Sequence, residues 1–279
     1  MTDQQTSQAF SEMLSGIDIR LRGKLSVLLP ALDLLEKRIA SGETDAAVLR
    51  YLGEARRAAF SILRLARNLG DQAKYAEDYD MSDPVRVDLA ELFASIAAET
   101  RKLACYKNTG VSLTCSETPF LALADPDMIS RLLYNLLSNA VMHGEGDVAV
   151  DLRREDDSIL IKVRNGGTGG AETLSRLYEG RSAYETPEGA DAPLGMGLSV
   201  ASAIVRQCGG TMMITSGKIG ETIVTISLPD LPLGDEMEFA APNDPCAFPI
   251  HLVELSDFPA YHPEYNLQKR ADPNAAVIP

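Results

Sequence analysis

The sequence predicts an α+β protein: a helical hairpin followed by a layer of mostly antiparallel strands with helices on one face. Three observations carry that prediction. Two long apolar stripes with steps of three and four residues occupy the first eighty positions, the signature of paired helices. Beyond them, strands with period-two alternation mix with helical patterns. Two glycine-rich stretches also interrupt this second region, one after a strand and one before a helix.

The first stripe runs Leu14, Ile17, Leu21, Leu25, Leu28, Leu32, Leu35 and Ile39, close to a heptad seam. Pro30 lies inside it and removes one helical hydrogen bond, which predicts a kink. Ser41-Gly-Glu-Thr44 supplies a turn, with Thr44 or Asp45 able to cap the second helix. The second stripe runs Val48, Leu52, Ala55, Ala59, Ile62, Ala66, Leu69 and Ala73. Two long helices joined by a short turn lie antiparallel. One hairpin has too little surface to enclose its own inner face. Pairing two copies into a dimeric four-helix bundle closes that core, and packing on the rest of the chain is the alternative. This hairpin unit is set at residues 8–80.

The second unit is set at residues 85–229. Val87 to Ile96 reads as a helix and Gly110 to Cys115 as a strand. Asp127 to Val141 reads as a helix that leads into two strands, Val148–Arg153 and Ser158–Arg164, with a turn at Asp156-Asp157. Gly197 to Gln207 reads as a helix closed by Gly209-Gly210, and a last hairpin takes Thr211–Ser216 and Glu221–Leu228.

Composition narrows the function. The chain has 279 residues, with 26 Lys and Arg against 40 Asp and Glu, a net charge of −14. That balance argues against a nucleic-acid partner, because neutralising phosphates takes excess cations. No stretch is apolar over the roughly 18–20 residues of a membrane span. The polar N-terminus lacks the order of a secretory signal, so a cytoplasmic location is expected. The four cysteines lie far apart and read as buried thiols, with neither a disulfide framework nor a zinc site. Residues 230–279 carry nine acidic against two basic residues and eight of the 15 prolines. They read as a third segment, an extended acidic arm that docks or stays disordered.

Three segments carry chemistry. Asn135 and Asn139 sit four apart, on one side of a helix that ends at His143. Adjacent carboxamide oxygens can hold a hydrated Mg²⁺, although two polar groove residues would show the same spacing. Asn165-Gly-Gly167-Thr-Gly169 follows a strand, and its glycines allow close approach of backbone to a flat ligand. The same run also serves as a plain turn. Gly195-Met-Gly197-Leu198 opens a helix whose N–H groups make a phosphate site, or simply starts that helix. Leu174 to Ala192, between the last two segments, is polar and suits a mobile lid.

Taken in this order, the segments resemble the ATP-binding domain of sensor histidine kinases, the GHKL or HATPase type with a Bergerat-type α/β sandwich. The run Asn135–His143 looks like that family's N box. Asn165–Gly169 looks like its first glycine box, and Gly195–Leu198 like its second. The hairpin looks like the family's dimerisation and phosphoacceptor unit. The resemblance covers about residues 8 to 229 and implies ATP and Mg²⁺ as cofactors. It places Asn139 on the metal and gives Asn135 a catalytic role in positioning phosphate or water. His143, Asn165, Gly167, Gly169, Gly195, Gly197 and Leu198 would line the nucleotide pocket.

Two departures weaken that pocket. Asn165 stands where the family has an Asp that accepts from adenine, so its NH₂ needs another partner. Pro193 stands where the second box has a further glycine. A third departure removes the phosphoacceptor. The family's histidine falls at Ile19 or, in the register set by Pro30, at Leu25, and no histidine precedes His143. His251 and His262 lie in the tail.

The resulting expectation is a homodimeric, histidine-kinase-like two-component signalling protein that binds Mg·ATP. It cannot autophosphorylate on its own hairpin, and would hydrolyse ATP or transfer phosphate to a partner in trans. The alternative is a non-catalytic pseudokinase scaffold that docks a response regulator receiver domain or a partner kinase. Serine phosphorylation of a protein, as in anti-sigma-factor kinases, is a third reading that the long hairpin argues against.

Overall fold

The computed structural model describes positions 84–104, 107–167, 196–217 and 220–233, together with the helix Ala46–Ala76, several positions between 24 and 41, and Glu254–Leu255. Helix α1 is defined by the described positions of 24–38, all helical, Pro30 included. Helix α2 spans Ala46–Ala76. The apolar stripes of these helices divide between two environments. Ala31 and Leu35 of α1 are buried, as are Ala55, Ala58 and Leu65 of α2. By contrast Leu25, Leu32 and Leu52 are 40%, 41% and 44% exposed, and Ala59 and Ala66 are exposed as well. Within the single chain α2 buries Ala55, Ala58, Ser61, Leu65 and Asn68, while Leu52, Ala59 and Ala66 of the expected seam stay exposed. A helix with alanine at 55, 58, 59 and 66 offers two adjacent apolar faces, and alternating steps of three and four cannot tell which one meets the chain's own core.

Strand β1 (Val85–Asp88) leads directly into α3 (Leu89–Ala104). The helix expected to begin at Val87 begins instead at Leu89, and Val87 and Asp88 belong to the strand. Asp88 is the cause, because a carboxylate oxygen at a helix start competes for the first backbone N–H groups. Its Oδ1 accepts from Ala90 N at 3.0 Å and Glu91 N at 3.4 Å, and also from Phe120 N at 3.0 Å. One side chain thus caps α3 and ties it to the start of β3 (Leu121–Ala124), the antiparallel partner of β1.

The main sheet contains β2 (Val111–Cys115), β4 (Glu145–Glu155), β5 (Ser158–Gly166), β6 (Thr211–Ser216) and β7 (Thr222–Pro229) in the order β2-β4-β5-β7-β6. Only β2–β4 is parallel. Alternation puts Val148, Val150 and Leu152 of β4, Ile159, Ile161 and Val163 of β5, and Val224, Ile226 and Leu228 of β7 into the core. The register sets Leu152 against Ile161 and Ile161 against Ile226, so branched side chains meet across three strands. Asp156, at φ 51°, makes the tight β4–β5 turn.

Helix α4 (Pro126–His143) is buried along most of its length and packs against α3, β4, β5 and the last helix, α5 (Met196–Gln207). Asp125 starts α4 through Oδ1, which accepts from Asp127 N and Met128 N, and Pro126 follows at the first helical position. Gly209, at φ 69°, ends α5: it donates to Arg206 O and Gly210 to Val205 O, a Schellman closure. Cys208, next to that closure, is a free thiol pushed up to about 11 by burial, with the charge of Asp125 adding to it. It stays protonated at neutral pH. Among the described residues no helix is long and apolar enough to cross a membrane.

Candidate functional site

The described parts of the three segments are brought together by α4, which packs against both β5 and α5. Asn135 and Asn139 lie on the side of α4 that meets the first turn of α5. Asn135 is fully buried, and its Nδ2 donates to Arg131 O at 2.9 Å, within the helix. That bond orients the carboxamide and leaves Oδ1 without a hydrogen-bond partner among the described residues. A buried carbonyl oxygen in that state costs free energy unless something supplies a donor or a cation.

Gly197 faces that oxygen. A Cβ at position 197 would lie 2.9 Å from Asn135 Oδ1 and 3.5 Å from Asn139 Nδ2. The second glycine segment is thus small where it meets the two asparagines. Asn139 is half-buried, and Leu198, one residue beyond Gly197, is buried in the core and anchors the start of α5. The first turn of α5 carries backbone N–H groups that no helical carbonyl satisfies.

The far end of α4 meets β5. His143 is exposed at the last turn, and Lys107 Nζ donates to the carbonyls of Val141 at 2.9 Å and Met142 at 2.7 Å. An ammonium there satisfies two carbonyls left open at the helix end and complements its dipole. Lys107 precedes the end of α4 by more than thirty residues, so no local pattern points to it.

Asn165 sits beside Gly144. Its Nδ2 donates to Gly166 O at 3.0 Å, which supplies the partner that an amide needs and an aspartate would not. The contact leaves no room at position 144: a Cβ there would lie 2.3 Å from Ala140 O and 2.4 Å from Asn165 Nδ2. Gly144→Ala is therefore expected to destabilise the fold by about 1–3 kcal/mol, read as a lower urea midpoint at unchanged slope. Gly166 is equally confined, with its Cβ site 2.5 Å from Glu145 O, and Gly167 has φ +124°, open only to glycine. Gly144 and Lys107 are the residues at this site that sequence reasoning does not select.

Gly169, Gly195, Pro193 and the expected lid Leu174–Ala192 lie outside the described residues. The structure brings together Asn135, Asn139 and Gly197 in one nook, and His143, Gly144 and Asn165 around the end of the same helix.

Comparison with known proteins agrees with the fold. Residues 124–232 match the family described as histidine kinase-, DNA gyrase B-, and HSP90-like ATPase. The chain is 30% identical over 146 residues to the sensor histidine kinase component HK1 of Mycobacterium tuberculosis, covering 51% of this chain and 86% of that one. It is 25% identical over 232 residues to the sensor histidine kinase YcbM of Bacillus subtilis, covering 80% and 73%. Among solved structures, the histidine kinase ThkA in complex with the response regulator protein TrrA superposes with a TM-score of 0.57 at 14% identity, over 82% of this chain and 64% of that one.

Proposed function

The chain belongs to the sensor histidine kinase family, and from that premise we propose that it binds Mg·ATP in the nook between α4 and α5 without phosphorylating its own hairpin. The observation that carries this reading is the buried Asn135 Oδ1, which faces Gly197 and has no hydrogen bond among the described residues. The donor set fits the cofactor: carboxamide oxygens suit a hard divalent cation, and helix-start N–H groups suit phosphate. Asn139 would hold Mg²⁺, Asn135 would orient a phosphate oxygen or water, and the start of α5 at Gly195, Gly197 and Leu198 would receive the phosphates. Asn165 would accept from the adenine amine through Oδ1, with Gly167 and Gly169 giving the base close access to backbone. His143 would stand at the phosphate end. Bound Mg²⁺ supplies charge neutralisation; the chain's own residues position and exclude water.

Residues 85–229 form the nucleotide unit in this reading, with 8–80 as the hairpin and 230–279 as a tail. With Ile or Leu at the family's histidine position, the hairpin offers no phosphoacceptor nitrogen. The protein then hydrolyses ATP or passes phosphate to a partner in trans, and calorimetry with Mg·ATP is the test. Saturable heat with one site per chain supports the reading. No heat at millimolar nucleotide leaves the pseudokinase scaffold, which the Asn165 substitution favours.

The hairpin also carries an argument for partners. Leu25 and Leu32, and Leu52, Ala59 and Ala66, are exposed at intervals of seven residues. Heptad-spaced apolar faces pair with other helices, and a second copy of this chain is the proposed partner. Leu52→Glu is expected to convert dimer to monomer in sedimentation equilibrium; a wild-type monomer at tens of micromolar refutes the pairing. The ThkA neighbour is solved with a response regulator, and a receiver domain, or a partner kinase, is the proposed heterologous ligand of the bundle.

A further inference from the structure

The region after Leu233 holds a buried carboxylate that the nucleotide site does not use. Glu254 is fully buried, and its oxygens lie 3.5 Å from Arg64 Nε of α2 and 3.8 Å from Arg131 Nε of α4. Neither oxygen has a hydrogen bond among the described residues, so these two guanidiniums are its charge partners there. Both arginine side chains are themselves largely covered, at 13% and 8% exposure. The next residue, Leu255, is fully buried and belongs to the core formed by the sheet and helices α3, α4 and α5.

A carboxylate removed from water is tolerated only where compensating charge is held in place. Here the compensation comes from two separate parts of the chain: Arg64 is on the hairpin helix, and Arg131 is on the helix that carries Asn135 one turn later. The chain is also tethered at the first residue of the tail. Asp230 N donates to Asp157 O at 2.9 Å, and the Asp230 carboxylate pairs with Arg154. Twenty residues separate Leu233 from Glu254, a length that spans up to about 70 Å when extended.

We infer that the seam between α2 and α4 is a docking slot for the acidic-leucine pair Glu254-Leu255, and that the tail clips the helical hairpin to the nucleotide-binding layer. Leu255 supplies the apolar anchor and Glu254 the cross-link between the two arginines. Because α2 also packs on α5, whose first turn carries Gly197, the clip sets where the hairpin lies relative to the nook. Neither the docking nor its test depends on nucleotide binding.

Hydrogen exchange by mass spectrometry on the full chain tests the inference. Glu254→Lys places an ammonium between two guanidiniums, and exchange of α2 amides over Arg57–Asn68 is expected to accelerate on the order of tenfold. Amides of β4 and β5 serve as the internal reference and should keep their protection. Arg64→Glu combined with Glu254→Lys restores an opposite-charge pair across the seam and should recover most of the α2 protection. Unchanged α2 exchange in Glu254→Lys overturns the inference. So does acceleration that the charge swap fails to reverse, and so does an equal loss in β4 and β5, which would make Glu254 a general core residue.

Discussion

Purified protein incubated with γ-labelled ATP and Mg²⁺ is expected to acquire no acid-labile phosphate on its own chain. A phosphohistidine needs an imidazole nitrogen as nucleophile; no histidine precedes His143, and Ile19 and Leu25 stand at the two positions that the family resemblance proposes for it. The effect is all-or-none, since neither side chain has a lone pair to attack with. Phosphate chemistry elsewhere relies on positioning and charge stabilisation, which the asparagine pair can provide without an acceptor in the hairpin. Acid-labile label that maps to His143, His251 or His262 would overturn the central reading. Label that appears only when a histidine-bearing partner is added would extend it to transfer in trans.

The second large effect is expected at the nook between α4 and α5. Asn139→Ala removes the proposed metal ligand and should lower Mg·ATP affinity by on the order of 10–100-fold. Position 139 is half-buried, so the apo protein should melt close to wild type. Gly197→Ala should lower affinity as well, for a different reason. Its Cβ would stand 2.9 Å from Asn135 Oδ1, and the carboxamide cannot retreat easily while Nδ2 is bound to Arg131 O. Overpacking of that kind costs about 1–3 kcal/mol. Calorimetry of both variants against wild type, with and without Mg²⁺, reads the two contributions separately. Equal affinity in wild type and Asn139→Ala would remove the metal assignment.

Much of the α/β layer was legible because its signals are local. Period-two alternation in Val148–Leu152 and Ile159–Val163 marks strands buried on one face, and Gly209 marks the end of α5. Where a local signal had two owners, reading along the chain failed. Val87-Asp88 carries the apolar spacing of the helix beginning at Leu89, yet Asp88 Oδ1 is shared between the α3 start and Phe120 N, a residue 32 positions away. Strand β3 is not legible locally, because Leu-Ala-Leu-Ala is short and its partner β1 lies more than thirty residues back, beyond α3 and β2.

The site divides in the same way. Asn135, Asn139, Asn165 and Gly197 could be selected from spacing and from the glycine segments, since chemistry restricts the residue types able to hold phosphate and metal. Their grouping could not. That Asn135 Oδ1 is buried and faces Gly197, or that Lys107 closes the end of α4, depends on contacts between segments 30 or more residues apart.

Residue types along the chain point to the family, mark α4, β4, β5, α5, β6 and β7 in order, and leave every histidine at or beyond position 143, because periodicity and nucleophile chemistry are properties of local sequence. Only the folded chain shows which face of α2 is left exposed, which carboxamide oxygen lacks a donor among the described residues, and that an acidic residue from the tail sits between Arg64 and Arg131. Burial and charge pairing are properties of what surrounds a group, and the surroundings exist only once distant segments have been brought together.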